Sequence, residues 1–376
     1  MTAELIVKYL NGEASEKEVA QVFTWINTSE ENKSTFITLK QAYALQADNN
    51  SGKIASKTLI DKRRKKKKQS FKLLKRAAVL VLLVGVGSLF FLFPDAQKSP
   101  EGIVLETSDG QTQLLNENQE RQLINASGTV VGTQRQNALI YEAGKAAAAA
   151  TVQTNTLKVP YGKTFKLVLS DSTVIHLNAG SAITYPERFI SSEPRKVSLQ
   201  GEAFFEVTKN KSWPFVVTCN DVDVEVLGTA FNLSAYAEDN SVRCALVEGS
   251  VKLKRPEGHT LLLEPGELGV YDKQARNLSS TTANVTEYAA WVHGQLIFNK
   301  TPFTEIEKRL ERSFAVAIDN KNSGLSSQAF TGSISVGKSN IEDLFALFRA
   351  DTPFDYVIDG KKIVIDGGEN NTSLFD

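Results

Sequence analysis

The stretch "KRRKKKKQSFKLLKRAAVLVLLVGVGSLFFLFPD" (62–95) sets ten positive charges against an apolar run, in a chain whose formal net charge is zero. Ala77 to Phe93 is seventeen uncharged residues rich in Leu, Val and Phe. As a helix they rise roughly 25 Å, near the lower limit for crossing a bilayer. Leu73 and Leu74 lengthen the run, because the stems of Lys72, Lys75 and Arg76 carry their charges back to the headgroups. A buried core helix is the alternative, but it would place ten charges at the border of a globular interior. A secretory signal peptide sits at the extreme N-terminus, whereas 76 residues precede Ala77.

The basic block sets orientation. Lys65, Lys66, Lys67, Lys68, Lys75 and Arg76 lie on one side, and only Lys98 follows closely on the other. Cytoplasmic flanks hold the excess Lys and Arg, so residues 1–76 are expected in the cytoplasm and the rest beyond the membrane. Nuclear targeting or nucleic-acid binding is the competing reading of such a block. Its place against a spanning helix favours topology and anionic-lipid contact. Without those ten charges the chain holds 33 basic and 43 acidic residues, a net of −10, and no nucleic-acid surface is expected. The only cysteines, Cys219 and Cys244, are on the exported side, where a disulfide is chemically allowed and simple burial is equally so. His176, His259 and His293 form no cluster, and no phosphate loop, zinc signature or nucleophile elbow occurs. No metal or cofactor is expected.

Residues 1–60 read as a small helical unit. Leu5, Ile6, Tyr9 and Leu10 give one apolar face; Gly12 breaks it, and Ser15 with Glu18 forms a capping box. Val19, Val22, Phe23 and Ile26 recur at helical spacing beside Trp25, and Phe36, Leu39 and Tyr43 mark a third helix. A unit this small buries little core, so apolar residues on its surface suit a partner, although a private three-helix core explains them as well. A helix-turn-helix DNA reader fits less, since the basic residues before residue 60 are scattered.

Past Pro94 the texture is β-like. "GIVLETSDGQTQLLN" (102–116) and "FKLVLSDSTVIHLN" (165–178) read as two versions of one strand-turn-strand unit, with Gly110 and Ser172 at equivalent turn positions. Between them a Gln- and Asn-rich stretch ending in "AGKAAAAAT" reads as a polar, Ala-rich linker, so 94–157 is taken as hairpin plus linker. From 158 to 275 strands recur about every ten residues, as in a sandwich or a β-solenoid. Residues 290–367 read as an α+β βαββαββ domain. Thr301 is the expected cap of its first helix with Pro302 in the first turn, Ser339 to Glu342 is the expected capping box of the second, and a hairpin closes around Gly360.

"VPYGKTFKLVLSDSTVIHLNAGSAITYP", "VSLQGEAFFEV", "PFVV", "VEVLGTAFNLSAY", "ALVEGSVKL" and "LEPGE" together resemble the FecR family of transmembrane anti-sigma regulators. The head "LIVKYLNGEASEKEVAQVFTWI" is similar to that family's sigma-binding domain, and the tail resembles the C-terminal domain of Bacteroidetes members, itself similar to the secretin and TonB short N-terminal module. Members usually carry Gly where Ser172 stands and an aromatic residue, often Trp, where His176 stands. The resemblance implies a multidomain chain: an all-α cytoplasmic head, a basic juxtamembrane segment (61–76), one transmembrane helix (77–93), an all-β FecR-like periplasmic domain and the α+β tail.

The implied function is an inner-membrane anti-sigma factor. Its head would hold an extracytoplasmic-function sigma factor through Tyr9, Leu10, Val22, Trp25, Phe36 and Leu39. Its tail would receive the periplasmic signalling domain of a TonB-dependent outer-membrane receptor. Some family members cut themselves at a Gly-Thr bond, matched here by Gly228 and Thr229 in "VLGTAFN", and an intramembrane protease would follow such a cut. Two other classes stay open. A membrane-anchored glycan-binding or glycan-processing protein would use Glu202 and Glu206 of "GEAFFEV" as a carboxylate pair, although Phe204 stands between them on their shared face. A static envelope scaffold would leave the head without a task.

Overall fold

A computed structural model describes residues 102–116, 119–124, 130–142, 153–219 and 222–367, with twelve positions among the first 36. The expected span 77–93, the basic positions from Lys65 to Arg76, the Ala-rich stretch, and Tyr9, Leu10 and Leu39 lie outside the described residues. Among the described residues no helix is long and apolar enough to cross a membrane.

Eighteen strands build two faces of one folded sheet. The chain crosses between the faces every one to three strands. The first face runs, in space, β2 (Thr112–Leu115), β1 (Ile103–Glu106), β6 (Thr154–Lys158), β9 (Ala182–Pro186), the first half of β10 (Arg195–Glu206), β11 (Phe215–Cys219), β12 (Val222–Val226), β15 (Val251–Lys254) and β16 (Thr260–Leu263). The second runs β3 (Arg121–Ile124), β4 (Val130–Arg135), β5 (Ala138–Tyr141), β7 (Phe165–Val168), β8 (Val174–Leu177), the second half of β10, β13 (Ala230–Ala235), β14 (Ser241–Glu248), β17 (Glu267–Asp272) and β18 (Asn277–Thr282). The result is layered like a sandwich and advances like a solenoid, so each of the two expected architectures describes part of it.

The two expected strand-turn-strand units are the hairpins β1–β2 and β7–β8. Ser172 holds φ +67 where Gly110 holds φ +80, and each donates its N–H to a carbonyl three residues back at 2.9 Å. The Gln- and Asn-rich stretch departs from the expectation, because β3, β4 and β5 stand there. Leu123, Val131, Leu139 and Tyr141 alternate inward, and the buried Gln134 donates its amide to the Asn116 carbonyl at 2.7 Å, so a polar composition conceals a strand period. Cys219 and Cys244 are free, buried thiols, and burial pushes Cys219 up to about 12.

β10 is the seam between the faces. Its odd-numbered residues point inward along its whole length, and the corner falls at Gly201, φ +101, where a Cβ would lie within 2.5–2.8 Å of Ser181. The Ser181 hydroxyl repairs the ladder there, accepting from Glu202 N at 2.8 Å and donating to Glu202 O at 2.9 Å. Phe205 stacks on Phe231 at 4.9 Å between ring centroids and meets Phe215 edge-on at 6.3 Å, filling the space between the faces. At the head of β10, Arg195 is 1% exposed. It donates to Asp171 at 2.7 Å, to the Thr208 carbonyl at 3.1 Å and to the Trp213 carbonyl at 2.8 and 3.1 Å, with the Trp213 and Phe215 rings about it.

A linker of α1 (Val285–Ala289) and a 3-10 turn (Ala290–His293) leads to the C-terminal domain. That domain runs β19 (Gln295–Pro302), α2 (Phe303–Phe314), β20 (Ala317–Asn320), α3 (Ser323–Ser327), β21 (Ala329–Ser335), α4 (Ile341–Asp351), β22 (Tyr356–Asp359) and β23 (Lys362–Ile365). It follows the expected order with one short helix added. β19 pairs β21, and β23 lies between β20 and β22. Phe303, Ile306 and Leu310 of α2 and Ile341, Leu344, Phe345 and Phe348 of α4 are buried, as their spacing predicts. Both expected caps move by one residue. Thr301 stays in the ladder opposite Phe330 and its hydroxyl accepts from Asn299 N, leaving Pro302 as the N-cap of α2. Asn340, not Ser339, caps α4 by accepting from Asp343 N at 2.7 Å.

Two measurements test this account. Arg195→Met leaves the buried Asp171 carboxylate unpaired and should cost about 3–5 kcal/mol, read by urea unfolding of residues 94–376 through Trp213 fluorescence. A loss under about 1 kcal/mol, the size of an ordinary surface change, would remove Arg195 from its central place. In the C-terminal domain, burial pushes the Glu307 carboxyl up to about 7, while the Asn320 amide favours its charged form and Glu311 opposes it. A carboxyl raised in the folded state favours folding below its ordinary range and loses that contribution as pH climbs towards 7. Glu307→Gln should therefore raise the melting temperature at pH 8 and leave it nearly unchanged at pH 4. An equal shift at both values would count against the buried carboxyl.

Candidate functional site

The second half of β10 carries "GEAFFEV", and its outward side chains form a seat for the C-terminal domain. Glu202 accepts the amides of Asn178 at 2.7 Å and Asn232 at 2.9 Å, and the Asn232 oxygen accepts the Trp291 indole N–H at 3.0 Å. Phe204 packs against the C-terminal core, and Glu206 meets His176 at 3.3 Å. Burial holds the His176 imidazole below its usual range, although Glu206 draws it upward. Each carboxylate is thus committed to its own partners, with Phe204 covered between them. The arrangement positions the C-terminal domain on β10.

Across the seat, α2 meets the loop between β13 and β14, and the start of β14, through charge. Arg243 forks onto Glu305 at 2.7 and 2.8 Å. Arg312 reaches Glu238 at 2.6 Å and Asp239 at 2.8 Å with its guanidinium 3.5 Å from the Tyr236 ring centroid, and Lys308 adds Asp239 at 3.0 Å. The Arg312 carbonyl accepts Gly162 N at 2.7 Å, so the "VPYG" turn grips the same end of the helix. Burial alone would raise Asp239, but Arg312 and Lys308 hold its carboxyl below the usual carboxylate range. The Arg243 hydrogen bond does the same for Glu305. A cleft of about 430 Å³ opens between the domains, bordered by Glu202, Tyr236, Arg243, Trp291, Glu305 and Arg312. Sequence reading did not single out this charged seat, because its partners are far apart in the chain.

Gly228 and Thr229 lie at a crowded crossing. Gly228 has φ +138, and a Cβ there would meet the Lys209 Cα at 2.5 Å, so only glycine fits. Thr229 is buried, and its hydroxyl donates to the Ser250 carbonyl at 3.0 Å. Gly249 crosses so closely that its own Cβ would stand 2.8 Å from the Thr229 hydroxyl and 3.0 Å from the Gly228 carbonyl. Lys209 bridges to Glu248 at 2.9 Å over the same crossing.

In the head, Ile6, Val22 and Phe36 form a small core against which Leu5 and Trp25 pack. Val22 is 0% and Phe36 3% exposed, so both lie inside this small core. Trp25 is half-buried; its carbonyl accepts the Asn32 side chain at 2.9 Å. Lys8 and Glu18 pair at 2.7 Å.

Comparison with known proteins matches residues 150–252 to the family described as FecR protein and residues 295–365 to that described as FecR, C-terminal. No curated protein matches the chain. Two crystal structures of a candidate anti-sigma factor from Parabacteroides distasonis, at 1.65 and 2.50 Å resolution, are each 29% identical to it with a TM-score of 0.52. The first covers 56% of this chain and 98% of that one; the second covers 57% and 99%. The β domain and the C-terminal domain thus match the two FecR modules separately and in order, and those two regions of the chain belong to the FecR family.

Proposed function

We propose that this protein is a single-pass inner-membrane anti-sigma factor whose cytoplasmic head holds an extracytoplasmic-function sigma factor. The observation that carries the reading is the ordered pair of FecR modules, placed beyond a basic block and an apolar run and preceded by a small helical head with its own core. The structural relative from Parabacteroides distasonis supports the same role. The N-terminus then lies in the cytoplasm and both FecR modules in the periplasm. There the C-terminal domain takes the signalling domain of a TonB-dependent outer-membrane receptor. Among the described residues its strand β22 pairs only with β23, and it carries Val357, 64% exposed, which suits docking by strand addition.

Residues 1–60 should bind and inhibit the sigma factor encoded beside this chain, measured by calorimetry with circular dichroism alongside. Trp25→Ala should weaken the complex by about 2 kcal/mol while the head stays helical, whereas Val22→Ala should lose helicity. A helical head that neither binds nor inhibits that sigma factor would end the anti-sigma reading.

Gly228, held at φ +138 beside a Thr229 hydroxyl, supports self-cleavage as a step in signalling. The hydroxyl oxygen attacks the Gly228 carbonyl carbon, and the acyl group passes from the Thr229 nitrogen, which takes up the hydroxyl proton, to its oxygen. Water then hydrolyses the ester, leaving an acid at Gly228 and a new amine at Thr229. The two pieces stay joined through shared strands, and an intramembrane protease then meets the membrane stump. Purified wild type should yield a fragment beginning at Thr229, Thr229→Ser should still cut, and Thr229→Val should stay whole. Wild type that remains intact while signalling in cells would reject the step.

A further inference from the structure

We propose that the charged contact between α2 and the β13–β14 loop is a releasable clasp, and that its opening is the periplasmic switch of this protein, an inference that rests on the anti-sigma reading above. The C-terminal domain is held in two chemically different ways. The linker is fixed by apolar packing: Val285 and Tyr288 lie with Ala245, Leu268 and Val270 on the second face of the β domain. The helix α2 is instead held by ion pairs, Arg243 with Glu305, Lys308 with Asp239, and Arg312 with Glu238 and Asp239. They border an open cleft of about 430 Å³, within reach of solvent and of a competing partner.

The two kinds of contact respond differently to load. Apolar packing resists salt and competing charge, whereas the carboxylates of the clasp, Glu238 at 47%, Glu305 at 36% and Asp239 at 23% side-chain exposure, are open to a competing partner even though Arg312 itself is only 8% exposed. Arg312 is the centre of the clasp. It is the group shared by both loop carboxylates, the Tyr236 ring and, through its carbonyl, the Gly162 turn. A partner that engages the C-terminal domain and tilts α2 therefore breaks several contacts together, while the linker keeps the domain tethered. The clasped form is the resting form, and the unclasped form releases the sigma factor.

The test uses the full-length chain in nanodiscs with spin labels at Lys196→Cys and Lys361→Cys; Cys219 and Cys244 are buried and stay unlabelled. Arg312→Glu should lengthen and broaden the distance distribution, and adding Asp239→Arg, which restores the pair with its charges exchanged, should return it towards wild type. In cells, Arg312→Glu should drive a sigma-dependent reporter without inducer, and the exchanged pair should silence it again. An unchanged distance in Arg312→Glu overturns the clasp. A lengthened distance with a silent reporter, in a strain where deleting residues 1–60 alters that reporter, overturns its role as the switch. If that deletion leaves the reporter unmoved, the anti-sigma reading has failed, and the distances alone decide whether the clasp exists.

Discussion

The fold depends on one buried cation. Arg195 opens the strand that both faces share, and its guanidinium ties three chain segments to that point: the β7–β8 turn through Asp171, the end of β10 through the Thr208 carbonyl, and the entry to β11 through the Trp213 carbonyl. A charge in such surroundings is costly unless every donor has a partner. Here the carboxylate is itself fixed, accepting from the Thr173 backbone at 3.0 Å and its hydroxyl at 2.7 Å. Moving any one of these segments would orphan a buried group, so the turn, the strand and the loop take up their positions together. A purely apolar junction of the same size would fill space without fixing direction.

What Arg195 does for the interior, the outward side chains of β10 do for the arrangement of the two domains. Ala203 and Phe205 face the core, while Glu202, Phe204 and Glu206 face outward, and the C-terminal domain settles on that outer row. One strand thereby serves two packing problems, which accounts for the alternation of glutamates and phenylalanines in its motif. The seat is polar at one end and apolar at the other. Apolar packing at the linker and ion pairs at α2 thus fall to different residues of one interface.

Much of this organisation is written locally. The alternation in 102–116 and 165–178 gives hairpins, and helical spacing in 303–314 and 341–351 gives the buried faces of α2 and α4, because each pattern is read within a few residues. Ser172 in a turn that takes positive φ is legible for the same reason. Local reading fails where composition and period disagree. The stretch holding β3 to β5 looks like a linker because Gln, Asn, Thr and Gly break up its composition and even an inward position is the polar Gln134, while its few inward apolar residues, Leu123, Val131, Leu139 and Tyr141, are spaced for a core that lies elsewhere in the chain. The caps at Pro302 and Asn340 were missed by one residue, since Thr301 was claimed by a ladder with β21 that no local pattern announces.

The sequence by itself determined the domain order, the periods of most strands and helices, the family resemblance, and a glycine before Thr229. Only the tertiary structure decided that β10 would belong to both faces and that Val22 and Phe36 would turn inward. It also brought Arg312 to carboxylates more than seventy positions away. The reason is physical: periodicity is a property of neighbours along the chain, but a salt bridge or a core contact is a property of neighbours in space, and those are fixed only when the whole sheet has closed.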